Sequence, residues 1–114
     1  MRLILAVIQP TKLKAVQQAL ARIGVERMTV CDAQGYGQQR GPSDPPRRGE
    51  ASLLRKVALE IVVNEDFVDR TVETIHEVAR SGPEGSLDDG EIFILPTEET
   101  VRMQDLVRGP EAVS

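Results

Sequence analysis

The stretch best suited to holding a ligand is Gly35-Tyr36-Gly37-Gln38-Gln39, where paired glycines let the backbone approach a bound group closely. Just beyond it, Arg40, Arg47 and Arg48 stand around Pro42, Pro45 and Pro46, a stiffened basic tip able to hold a small anion or an acidic partner. Lys56 and Glu60 fall on one face of an alternating segment. Nucleophilic catalysis has little to work with: His76 and Cys31 are the single residues of their kinds, distant in sequence and without an orienting third group. With no second His or Cys at ligand spacing, a structural metal is not expected. Cys31, within Met28-Thr29-Val30-Cys31, is expected to be a small buried strand residue.

The elements that must position these groups fit one domain of 114 residues, a size that buries roughly 60 to 65 % of the unfolded chain's surface. Aromatic residues make up only 3 %, so the core must be aliphatic. A net charge of −4 leaves no excess of cations to displace phosphate counterions, which argues against nucleic acid. The longest apolar run, Leu3 to Ile8, is far shorter than the ~20 residues a bilayer needs, and the start has no cleavable leader pattern, so a cytoplasmic protein without membrane insertion is expected.

Arg2 to Gln9 reads as a strand apolar on both faces, stopped by Pro10. Leu13, Val16, Leu20 and Ile23 recur at helical spacing within Lys12 to Ile23, and Gly24 supplies the stop. Val25 to Ala33 is rich in β-branched residues and reads as a second strand. Gln34 to Gly49 carries four glycines and three prolines with no periodicity, a long loop of the kind that tends to be functional. Leu53 to Val63 alternates as a third strand, and Asp66 to Arg80 repeats the helical pattern before Ser81-Gly82. An acidic turn-rich loop (81–90), a fourth strand at Glu91 to Leu95 and a tail (96–114) complete the chain.

The order strand, helix, strand, strand, helix, strand predicts an α+β, ferredoxin-like βαββαβ sandwich with both helices on one face. The doubly apolar first strand then requires a cover for the second face, and further copies of the same subunit are the expected cover. Such folds host many functions. An RNA-recognition module needs stacking aromatics on the first and third strands, which have none. An acyl-phosphate hydrolase wants a glycine-rich, arginine-bearing cradle after the first strand, where this chain has Gln9-Pro10-Thr11.

From Met1 to Gly41 the chain resembles PII signal-transduction proteins, through Ile8-Gln9-Pro10, Lys12-Leu13, Met28-Thr29-Val30 and Gly35-Tyr36-Gly37 with Gln39 and Gly41. The similarity resumes at Lys56-Val57, Glu60-Ile61-Val62-Val63, Asp66-Phe67-Val68-Asp69, Gly90 with Ile92-Phe93, and Val101-Arg102. The resemblance implies a regulatory homotrimer, not an enzyme, that binds adenine nucleotides in clefts between subunits. It also implies a T-loop, about 38–52, that changes shape with the ligand and docks onto a target such as a transporter, an enzyme or a carboxysome component. Residue by residue, Val7 and Val62 would pack on adenine, Glu60 would accept from its amino group, and Thr29 would lie beside the base. Gly35, Tyr36, Gly37 and Gln38 would line ribose and phosphates. Lys56 and Arg102 would supply positive charge, and Asp89-Gly90 a backbone turn from the other subunit.

The chain also departs from the nitrogen-signalling pattern, with Gln38 in place of an Arg, Glu91 in place of a Lys and Gln104 in place of a second Arg. A carboxylate at Glu91 near a terminal phosphate would cost on the order of 1 to 3 kcal/mol, so ADP or AMP is expected over ATP. The T-loop lacks the modifiable tyrosine, with Ala51 and Ser52 near its place. Gln39 would help hold magnesium only if 2-oxoglutarate binds. These departures resemble carboxysome-associated relatives, so bicarbonate is the expected effector acting with Gln39, Arg40, Gly41, Arg47 and Arg48. The alternatives are a conventional nitrogen regulator responding to ATP and 2-oxoglutarate, and a docking trimer that binds no ligand.

Overall fold

A computed structural model of the chain describes residues 1–36 and 53–113, with Tyr36 described in its backbone only. The expected T-loop, and with it Gly37, Gln38, Gln39, Arg40, Gly41, Arg47 and Arg48, lies outside the described residues.

Four strands, β1 (Arg2–Ile8), β2 (Thr29–Tyr36), β3 (Leu53–Val63) and β4 (Gly90–Pro96), form one sheet in the order β2-β3-β1-β4. Every pairing is antiparallel. Helices α1 (Leu13–Arg22) and α2 (Val68–Ala79) pack on one face. This is the ferredoxin-like arrangement that the element order predicts.

Alternation decides which side chains enter the core. Ile4, Ala6 and Ile8 of β1 and Val57, Leu59, Ile61 and Val63 of β3 meet Val16 and Leu20 of α1 and Ile75 and Ala79 of α2. The helix starts follow their sequences. Pro10 opens a 3-10 turn (Pro10–Lys12) that leads into α1, a place where its missing N–H costs nothing. A second such turn (Glu65–Phe67) leads into α2, where the buried Thr71 hydroxyl donates to the Phe67 carbonyl at 2.7 Å. Gly24, at φ +88°, ends α1 in the left-handed region that glycine adopts freely.

Two expectations are corrected. The second strand begins at Thr29, because Val25 is drawn into the core by the link from α1, and it runs through Gly35 and Tyr36 opposite Leu54 and Leu53. Cys31 is exposed, not buried: its partner across the ladder is Ala58, which puts it on the face away from the helices. β1 is buried on the helix face only, with Leu3, Leu5 and Val7 half-buried on the other. In β4, Phe93 and Leu95 on that same face keep 47 % and 41 % of their surface. The tail folds back on itself through an antiparallel bridge between Val101 and Arg108. Among the described residues, no helix is long and apolar enough to cross a membrane.

Candidate functional site

The ladder registers sort the candidate residues along the open face of the sheet. At one end, Val7 pairs with Glu91 of β4 and Ala58 of β3, Ala33 pairs with Lys56, and Gly35 with Leu54. Toward the other end, Thr29 pairs with Glu60 and Leu3 with Val62. Six residues separate Lys56 from Val62 on β3, a distance of about 20 Å along the strand.

At the first end Lys56 is only 8 % exposed, and its Nζ donates to the Asp88 carbonyl at 2.6 Å. Gly35 lies against it: a Cβ there would sit in ordinary contact with the Lys56 side chain, at 3.4 Å. The chain then turns at Gly90, φ +103°, into β4. A Cβ at Gly90 would collide with the Val7 carbonyl oxygen, so both dihedral and space demand glycine. Lys56 and the Asp88–Gly90 turn thus meet within one chain. The pairing of β4 with β1 carries the turn to the chain's own third strand.

Asp89 contributes through its side chain as well as its backbone. Its carboxylate accepts from Ser81 N at 2.9 Å, Ser81 Oγ at 2.6 Å, Ser86 N at 2.8 Å and Gln9 Nε2 at 3.4 Å. With Ser86 Oγ accepting from Asp88 N, this is a capping box that ties loop 81–90 to the end of α2 and to the residue after β1. Burial pushes the Asp89 carboxyl up, but the Ser81 and Ser86 donors and the Lys12 charge outweigh it and hold the carboxyl below its ordinary value. A Ser86-x-x-Asp89 spacing is the signal in the sequence that could have revealed this clasp.

Toward the other end, Thr29 and Glu60 are exposed neighbours, and Cys31 Sγ lies 3.9 Å from Glu60 Oε1. Arg102 is in the tail, which joins this end where Thr97 N donates to the Met1 carbonyl and Asn64 Nδ2 to the Pro110 carbonyl. Arg102 is therefore not brought to Lys56 within one chain. Its guanidinium is held instead by Asp105, a partner that sequence reasoning missed. Side-chain pairing with Asp105 raises the Arg102 pKa and lowers that of Asp105. Glu91 and Gln104 are both exposed.

A concavity of about 640 Å³ lies behind loop 81–90, between α2 and β4, walled by His76, Arg80, Leu87 and Ile92. It shares Val7, Asp89 and Gly90 with the corner but does not include Lys56, so it is a separate hollow on the helix side. Among the described residues, no three His, Cys, Asp or Glu side chains gather as a metal site would require.

The family model described as Nitrogen regulatory protein P-II matches residues 1–106. Nitrogen regulatory protein GlnK1 of Methanosarcina mazei is 40 % identical over 115 residues, covering 99 % of this chain and 97 % of the relative. Nitrogen regulatory protein P-II of Azospirillum brasilense is 37 % identical and that of Nostoc punctiforme 38 %, each covering 99 % of this chain and 100 % of the relative. With a family match across nearly the whole sequence and end-to-end relatives at this identity, the chain belongs to the P-II family of nitrogen regulatory proteins, a family of signalling regulators and not of enzymes.

Proposed function

We propose that this P-II protein binds an adenine nucleotide in a cleft between copies of itself and signals occupancy to a target protein through residues 38–52. The observation that carries the reading is the corner at Lys56. There a buried ammonium has a neutral carbonyl as its partner, with the bare backbone of Gly35 and the turn at Gly90 beside it. A cation beside backbone that carries no side chain is the kind of arrangement that phosphate recognition uses.

The separation along the sheet supports a cleft completed by a second copy. One group (Val7, Gly35, Lys56, Gly90) and the other (Thr29, Glu60, Val62, with Arg102 in the adjoining tail) lie toward opposite ends. Copies placed head to tail would bring one group against the other, and heterologous contacts of that kind close into rings. A homotrimer built this way would also cover the open apolar face carrying Phe93 and Leu95. The position of Glu91 beside Val7, next to the Gly90 turn, supports ADP or AMP over ATP.

The relatives' printed names speak for nitrogen status as the signal. No observation favours bicarbonate, which enters as a test arm. Titration calorimetry with ATP, ADP and AMP, each with bicarbonate or with 2-oxoglutarate plus magnesium, tests the reading. Micromolar binding of at least ADP is expected, and absence of any nucleotide binding at millimolar concentration sinks it. Light scattering should return three times the chain mass.

A further inference from the structure

We infer that Asp105 is a specificity-determining residue: by occupying the Arg102 guanidinium it lowers affinity more for each added phosphate. The inference rests on the reading that adenine nucleotides bind near Arg102. Arg102 Nε donates to Asp105 Oδ1 at 3.0 Å and Nη2 to Oδ2 at 2.8 Å, the two-pronged geometry that a phosphate would otherwise use. The arrangement is built into the backbone. Asp105 Oδ1 also accepts from Val107 N at 3.2 Å, Arg102 N donates to the Val107 carbonyl, and Leu106 N donates to the Arg102 carbonyl, both at 2.9 Å. Leu106 takes φ +61°, a left-handed conformation that a leucine adopts only where its surroundings impose it.

The carboxylate takes Nε and Nη2 and not Nη1, the edge by which a phosphate would then approach. What it meets is a cation whose charge is already offset, with Glu111 adding a second negative charge nearby. Repulsion between Asp105 and the ligand grows with the ligand's charge. ATP is therefore disfavoured most and AMP least, in the same sense as Glu91 acts at the other end of the sheet.

The test compares AMP, ADP and ATP binding by calorimetry in the unaltered protein, Asp105→Asn, Arg102→Ala and the double variant. Asn keeps an oxygen for Val107 N while removing the charge and the acceptor of Arg102 Nη2; Asp105→Ser, which also accepts from that N–H, serves should Asn disturb the turn. Asp105→Asn should tighten ATP about fivefold and AMP less than twofold, with the gain fading at high salt. In the Arg102→Ala background the gain should vanish. An unchanged ATP-to-AMP ratio, or an equal gain without Arg102, overturns the inference while leaving nucleotide binding intact. If neither the unaltered protein nor Asp105→Asn binds any nucleotide, the underlying reading falls and the inference falls with it.

Discussion

Two cations, toward opposite ends of one sheet, are held in opposite ways. Lys56 is buried, tied to a neutral carbonyl, and sits beside a loop that the Asp89 carboxylate clasps through four hydrogen bonds. Arg102 is half-exposed in a tail and faces a carboxylate three residues away. Desolvation strengthens the first contact and solvent screening weakens the second. A fold can therefore present one charge at full strength in a fixed place and another already offset and adjustable, using the same few residue types.

The largest expected effect comes from breaking the buried end outright. Gly90→Ala combines a left-handed dihedral with a collision against the Val7 carbonyl. It should cost about 3 kcal/mol or more and lower the thermal midpoint by about 10 °C or more. A midpoint within 2 °C of the unaltered protein, by calorimetric scanning, would show the corner to be far softer than described, in which case it could not fix Lys56.

Next, Lys56→Ala removes the cation and its bond to the Asp88 carbonyl but keeps Gly90, and should weaken ADP about tenfold or more. Unchanged affinity in a titration would assign the phosphate elsewhere.

The clasp offers a test by pH. The Asp89 carboxyl is held below its ordinary value when folded, so its contribution to loop 81–90 is present above the unfolded value and is lost as pH falls through the folded one. The protection factors of the Ser81 and Ser86 amides, taken against the intrinsic exchange rate at each pH, should thus fall on acidification below about pH 4. Asp89→Asn should raise their exchange at neutral pH and flatten that dependence. Equal protection in both proteins would reduce the clasp to decoration.

The smallest effect belongs to the solvent-exposed pair of Arg108 and Glu99, at 2.8 Å. Glu99→Gln should move stability by no more than about 0.5 kcal/mol in chemical denaturation. A larger loss would mean that the tail is held more tightly than its exposure suggests.

Much of the fold was legible because alternation and helical spacing are strong along Leu3 to Ile8, Leu53 to Val63 and the two helices, where burial decides everything. Strand limits were less so. Val25 is buried without being in a strand, while Gly35 and Tyr36 join β2 despite a composition that reads as loop, since pairing with β3 outweighs local preference. Cys31 was misjudged because a strand's apolar residues say nothing about which face is covered. At the site, residue types were readable but their partners were not. Asp89's clasp and Asp105's hold on Arg102 depend on loop geometry, which periodicity does not encode.

The outer edge of β4 has a consequence for the life of the chain before it finds a partner. Phe93 and Leu95 on one face and Ile94 on the other all remain more than two-fifths exposed, on a strand that among the described residues pairs with β1 alone. A newly made subunit therefore leaves the ribosome with an adhesive rim, interrupted only where Pro96 withholds an N–H at its end. If copies assemble as proposed, covering this rim competes with random clumping, and handling yield should then track chain concentration and the speed of encounter more than the strength of the core.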